Sequence, residues 1–309
     1  MKRILTAALA GLALTFAAHA AHAEELRIGF QKYGTLTVLK ARGTLETRLK
    51  PLGFTVRWVE FPAGPQLLEG LNVGAIDFGT TGEAPPIFAQ AAGARLVYVG
   101  NEPPAPASEA IVVPKGSPLK SVKELKGKKV ALNKGSNVHF LLVKALEEAG
   151  LKWTDIQPVY LPPADARAAF ERGSVEAWVI WDPFLAAAEK QLNARVLRDG
   201  KGLVANHQFF LAERGFAERN PKVLSAVLDE LDKTDEWAAA NQADVVKEIA
   251  PLLGLPVDIV QLAVARYSYG VQPVNAKVAD AQQQIADVFH DLKLIPKPIK
   301  VKDALVTAK

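Results

Sequence analysis

Cysteine is absent from the 309 residues. With no thiol the chain can form no disulfide, no thiolate metal site and no cysteine nucleophile, and it offers no cysteine for a lipid anchor. Histidine is sparse, and neither the H-x-x-x-H nor the H-E-x-x-H spacing occurs, so no metal site is expected. A glycine-rich phosphate loop and a G-x-S-x-G elbow are also missing, which gives no mark of a phosphate-binding enzyme or an α/β hydrolase, and no cofactor is expected. No apolar run reaches the roughly 20 residues that a bilayer-crossing helix needs. Nor is there a large excess of one charge: 37 Lys and Arg against 33 Asp and Glu give +4. The basic residues are spread along the chain, so despite an isoelectric point near 9.1 no nucleic-acid partner is expected.

What is present is an ordinary globular composition, 49% hydrophobic and 23% charged with 22 Gly and 20 Pro, and a length that predicts two domains. Residues 1–23 stand apart. Lys2 and Arg3 precede an apolar run from Ile4 to Phe16, and Ala21-His22-Ala23 forms an A-x-A pattern before Glu24. Together these predict a cleavable secretory signal. Cleavage after Ala23 removes two basic residues and leaves 35 basic against 33 acidic, about +2, in a mature chain expected to be soluble.

From Glu25 short apolar strands alternate with amphipathic helices, the pattern of α/β units with parallel strands. Strands are expected at Leu26–Phe30, Thr55–Phe61, Ile76–Gly79 and Leu96–Val99, with helices at Leu36–Leu49, Gly64–Val73 and Pro86–Ala92. Pro103, Pro104 and Pro106 then mark Asn101–Ser108 as a crossing between domains, since proline continues neither helix nor ladder. A second set follows, with strands at Ala110–Val113, Val130–Leu132, Val159–Leu161, Ala177–Ile180 and Arg195–Leu197 and helices at Asn137–Ala149, Ala164–Arg172 and Pro183–Leu192. The Asn137 helix is the clearest, with Val138, Leu141, Leu142, Ala145, Leu146 and Ala149 on one face, Ser136 as N-cap and Gly150 as its stop. After Phe209–Ala212 the pattern is helical to the end. The expected fold is therefore α/β with two lobes: residues 24–104 plus 210–309 form lobe I, 105–209 form lobe II, a second crossing lies near Ala205–Phe209, and a ligand sits in the interlobe cleft.

The runs LRIGFQKYG, WVEFPAGPQLLEGLNVGAIDFGTTGEAPPIFAQAAGARLVYVG, LKGKKVALNKGSNVHFLL, DIQPVYLPPADARAAFERGSVEAWVIWDPF and VLRDG resemble the periplasmic aliphatic sulfonate-binding component of an ABC importer. Nitrate-, taurine- and thiamine-precursor-binding proteins resemble the chain more loosely. The resemblance implies a type II periplasmic binding protein fold and a monomeric receptor that closes on an alkanesulfonate and presents it to a membrane permease for sulfur acquisition. Taurine, nitrate or another small oxyanion is the alternative ligand. An enzyme on the same fold is the alternative from another class, although the pyrimidine-synthesising enzymes that share the fold resemble a Cys-rich pattern this chain cannot supply. A ligand-sensing half of a transcriptional regulator fits neither the exported N-terminus nor the lack of DNA-binding helices.

A sulfonate is a permanent monoanion with three acceptor oxygens, so its receptor needs converging donors, which helix N-termini supply, and no full countercharge. GTTGE at Gly79–Glu83 joins a strand to a helix and offers Thr80, Thr81 and Gly82, or is a simple cap. KGSNVH at Lys134–His139 offers Gly135, Ser136 and Asn137 at the start of the clearest helix. Gln31 ends the first strand at the carboxyl edge where ligands of open α/β sheets sit, and is favoured over Lys32. Trp181 offers a flat wall and an indole N–H, while Trp178 belongs to the core. Asp182 precedes Pro183 and reads as a helix N-cap or a ligand contact. His139 is either a neutral donor to the ligand or a residue stacked on the helix start, and Glu83 is either a helix-end acid or a counterion for ligands carrying an amine.

Overall fold

Ten short strands pair into two five-stranded sheets, and the order of pairing decides where a cleft forms. The structure is a computed structural model that describes residues 23–306; apart from Ala23, the secretory signal expected over residues 1–23 lies outside the described residues. The first sheet is built from β1 (Glu24–Phe30), α1 (Thr35–Arg42), α2 (Thr44–Leu49), β2 (Phe54–Glu60), α3 (Gly64–Asn72), β3 (Phe78–Gly82), α4 (Ala84–Ala91) and β4 (Leu96–Asn101). The second comprises β5 (Glu109–Val113), β6 (Lys129–Leu132), α5 (Asn137–Glu148), β7 (Gln157–Tyr160), α6 (Pro163–Glu171), β8 (Ala177–Trp181), α7 (Phe184–Gln191) and β9 (Arg195–Asp199). The chain then returns through β10 (Gln208–Glu213), followed by α8 (Arg214–Arg219), α9 (Pro221–Ala240), α10 (Gln242–Leu253), α11 (Val257–Val264) and α12 (Ala276–Asp291).

Strand order is β2-β1-β3-β10-β4 in the first sheet and β7-β6-β8-β5-β9 in the second. β1 runs parallel to β2 and β3, and β6 parallel to β7 and β8, as βαβ connections require. The two antiparallel strands are β10 and β5, the first strand after each crossing. A strand arriving from the other sheet must run away from the junction, whereas strands of βα units end at it. Both crossings therefore lie beside the carboxyl edges of both sheets, where ligands of α/β folds bind.

Apolar periodicity accounts for the packing. Leu26, Ile28, Phe78 and Phe210 from the first sheet bury against Leu36, Leu39, Leu45 and Leu49 of α1 and α2 and Val227 and Leu231 of α9. In the second sheet β8 is buried along its whole length, as a central strand covered on both faces must be, and Val138, Leu141, Leu142 and Leu146 of α5 cover the same core. α9 and α10 pack on α1, α12 packs on α4, and α11 touches both α10 and α7, so the helical third joins the first sheet and reaches the second.

Three expected elements differ. The helix expected over Leu36–Leu49 is broken at Gly43, which adopts a left-handed φ of 64°. The strand expected at Ile76–Gly79 is instead Phe78–Gly82, because β10 pairs Phe210 with Thr80, Phe209 with Thr81 and Gln208 with Gly82. A polar Thr-Thr-Gly run that reads locally as a loop is thus strand, held by a partner about 130 residues away. Pro183 takes the N-cap place expected of Asp182, and the helix begins at Phe184.

Candidate functional site

Between the carboxyl edges of the sheets lies a cleft. Gln31, Tyr33, Gly64, Gly82 and Pro85 line it from one side, Ser136, Asn137 and Trp181 from the other, and Asn206 and Gln208 from the return crossing. The sequence places helix starts here. α3 begins at Gly64, and α5 begins at Asn137 with Ser136 as its N-cap. The first N–H groups of a helix have no intrahelical acceptor and carry the positive end of its dipole. α4 also starts at the cleft, but Pro85 and Pro86 in its first turn remove donors. The cleft is partly open, with about 370 Å³ of empty space among its lining atoms, the open side included.

Of the eleven residues expected to bind, Gln31, Gly82, Ser136, Asn137 and Trp181 line the cleft. Gln31 donates one Nε2 hydrogen to the Thr80 carbonyl at 3.1 Å and keeps the other. Ser136 Oγ donates to the Asn133 carbonyl at 2.7 Å, so what this junction offers is the backbone N–H groups at the start of α5 rather than the hydroxyl proton. Asn137 Nδ2 donates to Asn206 Oδ1 at 2.5 Å, and its amide lies where a Cβ on Gly82 would be. Trp181 is 9% exposed, whereas Trp178 is core.

The other six face elsewhere. Thr80 and Thr81 spend their hydroxyl protons on the carbonyls of Phe209 and Gly82. Gly135 donates its N–H to His139 Nδ1 at 3.2 Å. His139 is fully buried among Phe88, Trp153, Tyr160 and Phe289, and burial lowers its pKa to about 3, so the ring is neutral. Glu83 turns to the return crossing, where Oε1 accepts the His207 N–H at 2.9 Å. Asp182 accepts the Ala186 N–H at 3.0 Å and pairs with Arg266 at 3.4 Å. Burial raises it to about 7, partly offset by the Arg266 charge.

Tyr33, Gly64, Pro85, Asn206 and Gln208 complete the lining without having been singled out. Gly64 had a sequence signal, since it follows β2 and opens a helix as Gly135-Ser136 does. Asn206 and Gln208 lie in the predicted second crossing, yet no local pattern says that a crossing residue faces a ligand.

Among the described residues, no Lys, Arg, His, Asp or Glu lines the cleft. Carboxyls sit behind it. Glu83, Glu102, Glu109 and Asp235 are all at most 4% exposed. Burial raises Glu83 to about 7 and lifts Glu109 well above the ordinary range, with the Glu83 charge adding to the latter. Thr35 Oγ1 contacts both Glu102 and Asp235. It has one hydrogen to give, so the second short contact needs a proton held by the acid pair. Burial raises both members, Asp235 to about 6. Among the described residues no group of three or more His, Cys, Asp or Glu is placed to hold a metal ion, and no helix is long and apolar enough to cross a membrane.

Residues 53–245 match the family described as NMT1/THI5 like. An aliphatic sulfonates-binding protein of Escherichia coli strain K12 is 48% identical over 99% of this chain and 97% of its own. Among solved structures, the alkanesulfonate-binding protein SsuA from Xanthomonas axonopodis pv. citri bound to MOPS superposes with a TM-score of 0.88 at 45% identity, covering 92% of this chain and 98% of that one. The periplasmic aliphatic sulphonate-binding protein SsuA from Escherichia coli gives 0.84 at 47% identity and 93% coverage of both.

Proposed function

The chain belongs to the NMT1/THI5-like family and, within it, to the aliphatic sulfonate-binding proteins, and from that premise we propose that it is a periplasmic receptor which captures an aliphatic sulfonate and hands it to the permease of an ABC importer. The observation that carries this reading is the cleft itself: side-chain amides, the N-termini of α3 and α5 and one indole wall, with no charged side chain in the lining. Such a set suits a permanent monoanion. Neutral donors satisfy three oxygens without a cation, and Trp181 gives an alkyl tail apolar surface. MOPS, held by the Xanthomonas relative, is a sulfonate with a bulky organic tail, which fits the same division of labour.

Capture requires movement. The lining comes from both sheets, with Gln31 and Gly82 on one side and Ser136, Asn137 and Trp181 on the other, so a ligand that touches both sides is received by parting the lobes and held by closing them. We take lobe I as residues 24–104 plus 210–309 and lobe II as 105–209. The hinge is the pair of crossings, which run side by side with Glu102 N–H on the Gln208 carbonyl at 2.9 Å and Ala105 N–H on the Ala205 carbonyl at 3.1 Å. Residues 1–23 serve as the export signal. The receptor acts as a monomer and not as an enzyme: Ser136 has no base within reach in the lining, and the cleft holds no other activated nucleophile.

The test is calorimetry of the mature protein against ethanesulfonate, longer alkanesulfonates, taurine, nitrate, sulfate and acetate. Alkanesulfonates should bind at least tenfold more tightly than sulfate or acetate. Equal affinity across the panel, or preference for nitrate, would replace the sulfonate reading with that of a general oxyanion receptor.

A further inference from the structure

Most polar side chains of the cleft are already engaged with protein. The Tyr33 hydroxyl meets Ser108 Oγ at 3.1 Å, and Ser136 Oγ donates to the Asn133 carbonyl at 2.7 Å. Asn206 Nδ2 donates to the Ala105 carbonyl at 2.9 Å and to Ser108 Oγ at 3.1 Å. Asn137 gives a hydrogen to Asn206 Oδ1, and Gln31 gives one of its two to the Thr80 carbonyl. Gln208 differs. It lines the cleft at 6% exposed, yet among the described residues its side-chain amide makes no hydrogen bond. Nor is either amide atom sealed away, as the unpartnered Oδ1 of Asn133 is. An amide held nine-tenths out of water with no protein partner is disfavoured until something entering the cleft completes it.

The backbone of this residue is fixed from both sides. Gln208 opens β10 in register with Gly82 of β3, and its carbonyl accepts the Glu102 N–H at 2.9 Å. β3 lies between β1 and β10 in the sheet. Gln31, the first residue after β1, and Gln208 therefore stand one strand to either side of Gly82, with backbones about 10 Å apart at the usual spacing of neighbouring strands. Glycine puts no side chain between them. A sulfonate offers acceptors only, and an uncommitted amide turns its Nε2 toward such an oxygen without breaking a bond and without bringing a charge. We propose that Gln208 is a ligand-contacting residue whose amide donates to a sulfonate oxygen from the return crossing, on the far side of Gly82 from Gln31. This rests on the receptor reading above and adds to it the crossing residue that meets the head group.

Gln208→Met keeps the length of the side chain and deletes its donors, and Gln208→Ala carries the same test should the Met variant not fold. Calorimetry of the mature protein with methanesulfonate, ethanesulfonate, butanesulfonate and taurine reads the effect. The variant should lose about tenfold in affinity, the range for one hydrogen bond to a charged group, and by the same factor for all four ligands, because they share only the head group. Its ligand-free melting temperature should stay at or above that of the parent, since an unpartnered amide has been removed. Unchanged affinity in a folded variant overturns the assignment. So does a loss confined to taurine, which would place the amide on the tail, or a loss in both variants accompanied by a clearly lower ligand-free melting temperature, which would make Gln208 a structural residue. A parent that binds none of the four overturns the receptor reading and this contact together, whereas a binding parent with unaffected variants overturns the contact alone.

Discussion

The cleft and the buried acids behind it lie side by side and have opposite chemistry. In front, Gln31, Asn137, Trp181 and the first turns of α3 and α5 present neutral donors, and among the described residues no charged side chain lines the cleft. Behind, Glu83, Glu102, Glu109 and Asp235 are buried with few donors, and burial raises each of them. An oxyanion site needs a positive local potential, which helix ends supply without a mobile cation. Acids close to such a site would oppose the ligand if ionised. Raising their pKa values and tying Glu83 to the His207 N–H and Thr35 to both Glu102 and Asp235 reduces the negative charge that the crossings project into the cleft.

The contrast can be broken from either side. The largest effect is expected from bulk in front: Gly82→Ala puts a methyl where the Asn137 amide now lies and should weaken sulfonate binding by about 3 kcal/mol, roughly 100-fold. Calorimetry giving parent affinity would mean that Gly82 does not border the ligand. Next is loss of a donor. Gln31→Ala removes the free Nε2 hydrogen from the cleft and should cost about 2 kcal/mol in ethanesulfonate binding, the range for a hydrogen bond to a charged group, with little change in the ligand-free melting temperature.

Removing charge behind the cleft should act on stability instead. The Glu83 pKa, raised to about 7, means that the folded state holds a proton the unfolded chain releases near 4.5. Stability from this group is therefore full below about pH 4.5 and lost as pH rises through about 7. Glu83→Gln keeps the acceptor for His207 N–H and removes the titration. It should match the parent at pH 5 and exceed it by about 2.5 kcal/mol at pH 8.5 in chemical denaturation; a pH-independent difference would show that the carboxyl is not the source.

Two smaller effects sharpen the front half. In Trp181→Ala the affinity loss should grow by about 0.5 kcal/mol per methylene along an alkanesulfonate series under the proposal that the ring covers the tail; a uniform loss would move its role to the indole N–H. Lys32→Ala should change binding by less than about 0.5 kcal/mol, because the ammonium is half exposed, 3.8 Å from Glu60 and outside the lining. A tenfold loss there would refute a cleft that works without a cation.

The chain's pattern alone determined the two α/β sets, the Pro-rich crossing and the α5 start, because apolar periodicity, proline and caps are local properties of neighbouring residues. Ser136 as N-cap and a glycine stop at Gly150, with a φ of 70°, stand where the sequence places them. The site was half legible for the same reason: Gln31, Gly82, Ser136, Asn137 and Trp181 sit at strand ends and helix starts, which sequence can locate. Tertiary structure alone decided the rest. β10 converts Thr80–Gly82 from loop to strand, the crossings turn Glu83 away from the cleft, an aromatic cage takes His139, and Arg266 pairs with Asp182 across 84 residues of chain. Each of these outcomes depends on a partner distant in sequence, and a side chain's direction at a junction is set by which distant group satisfies it once water is excluded.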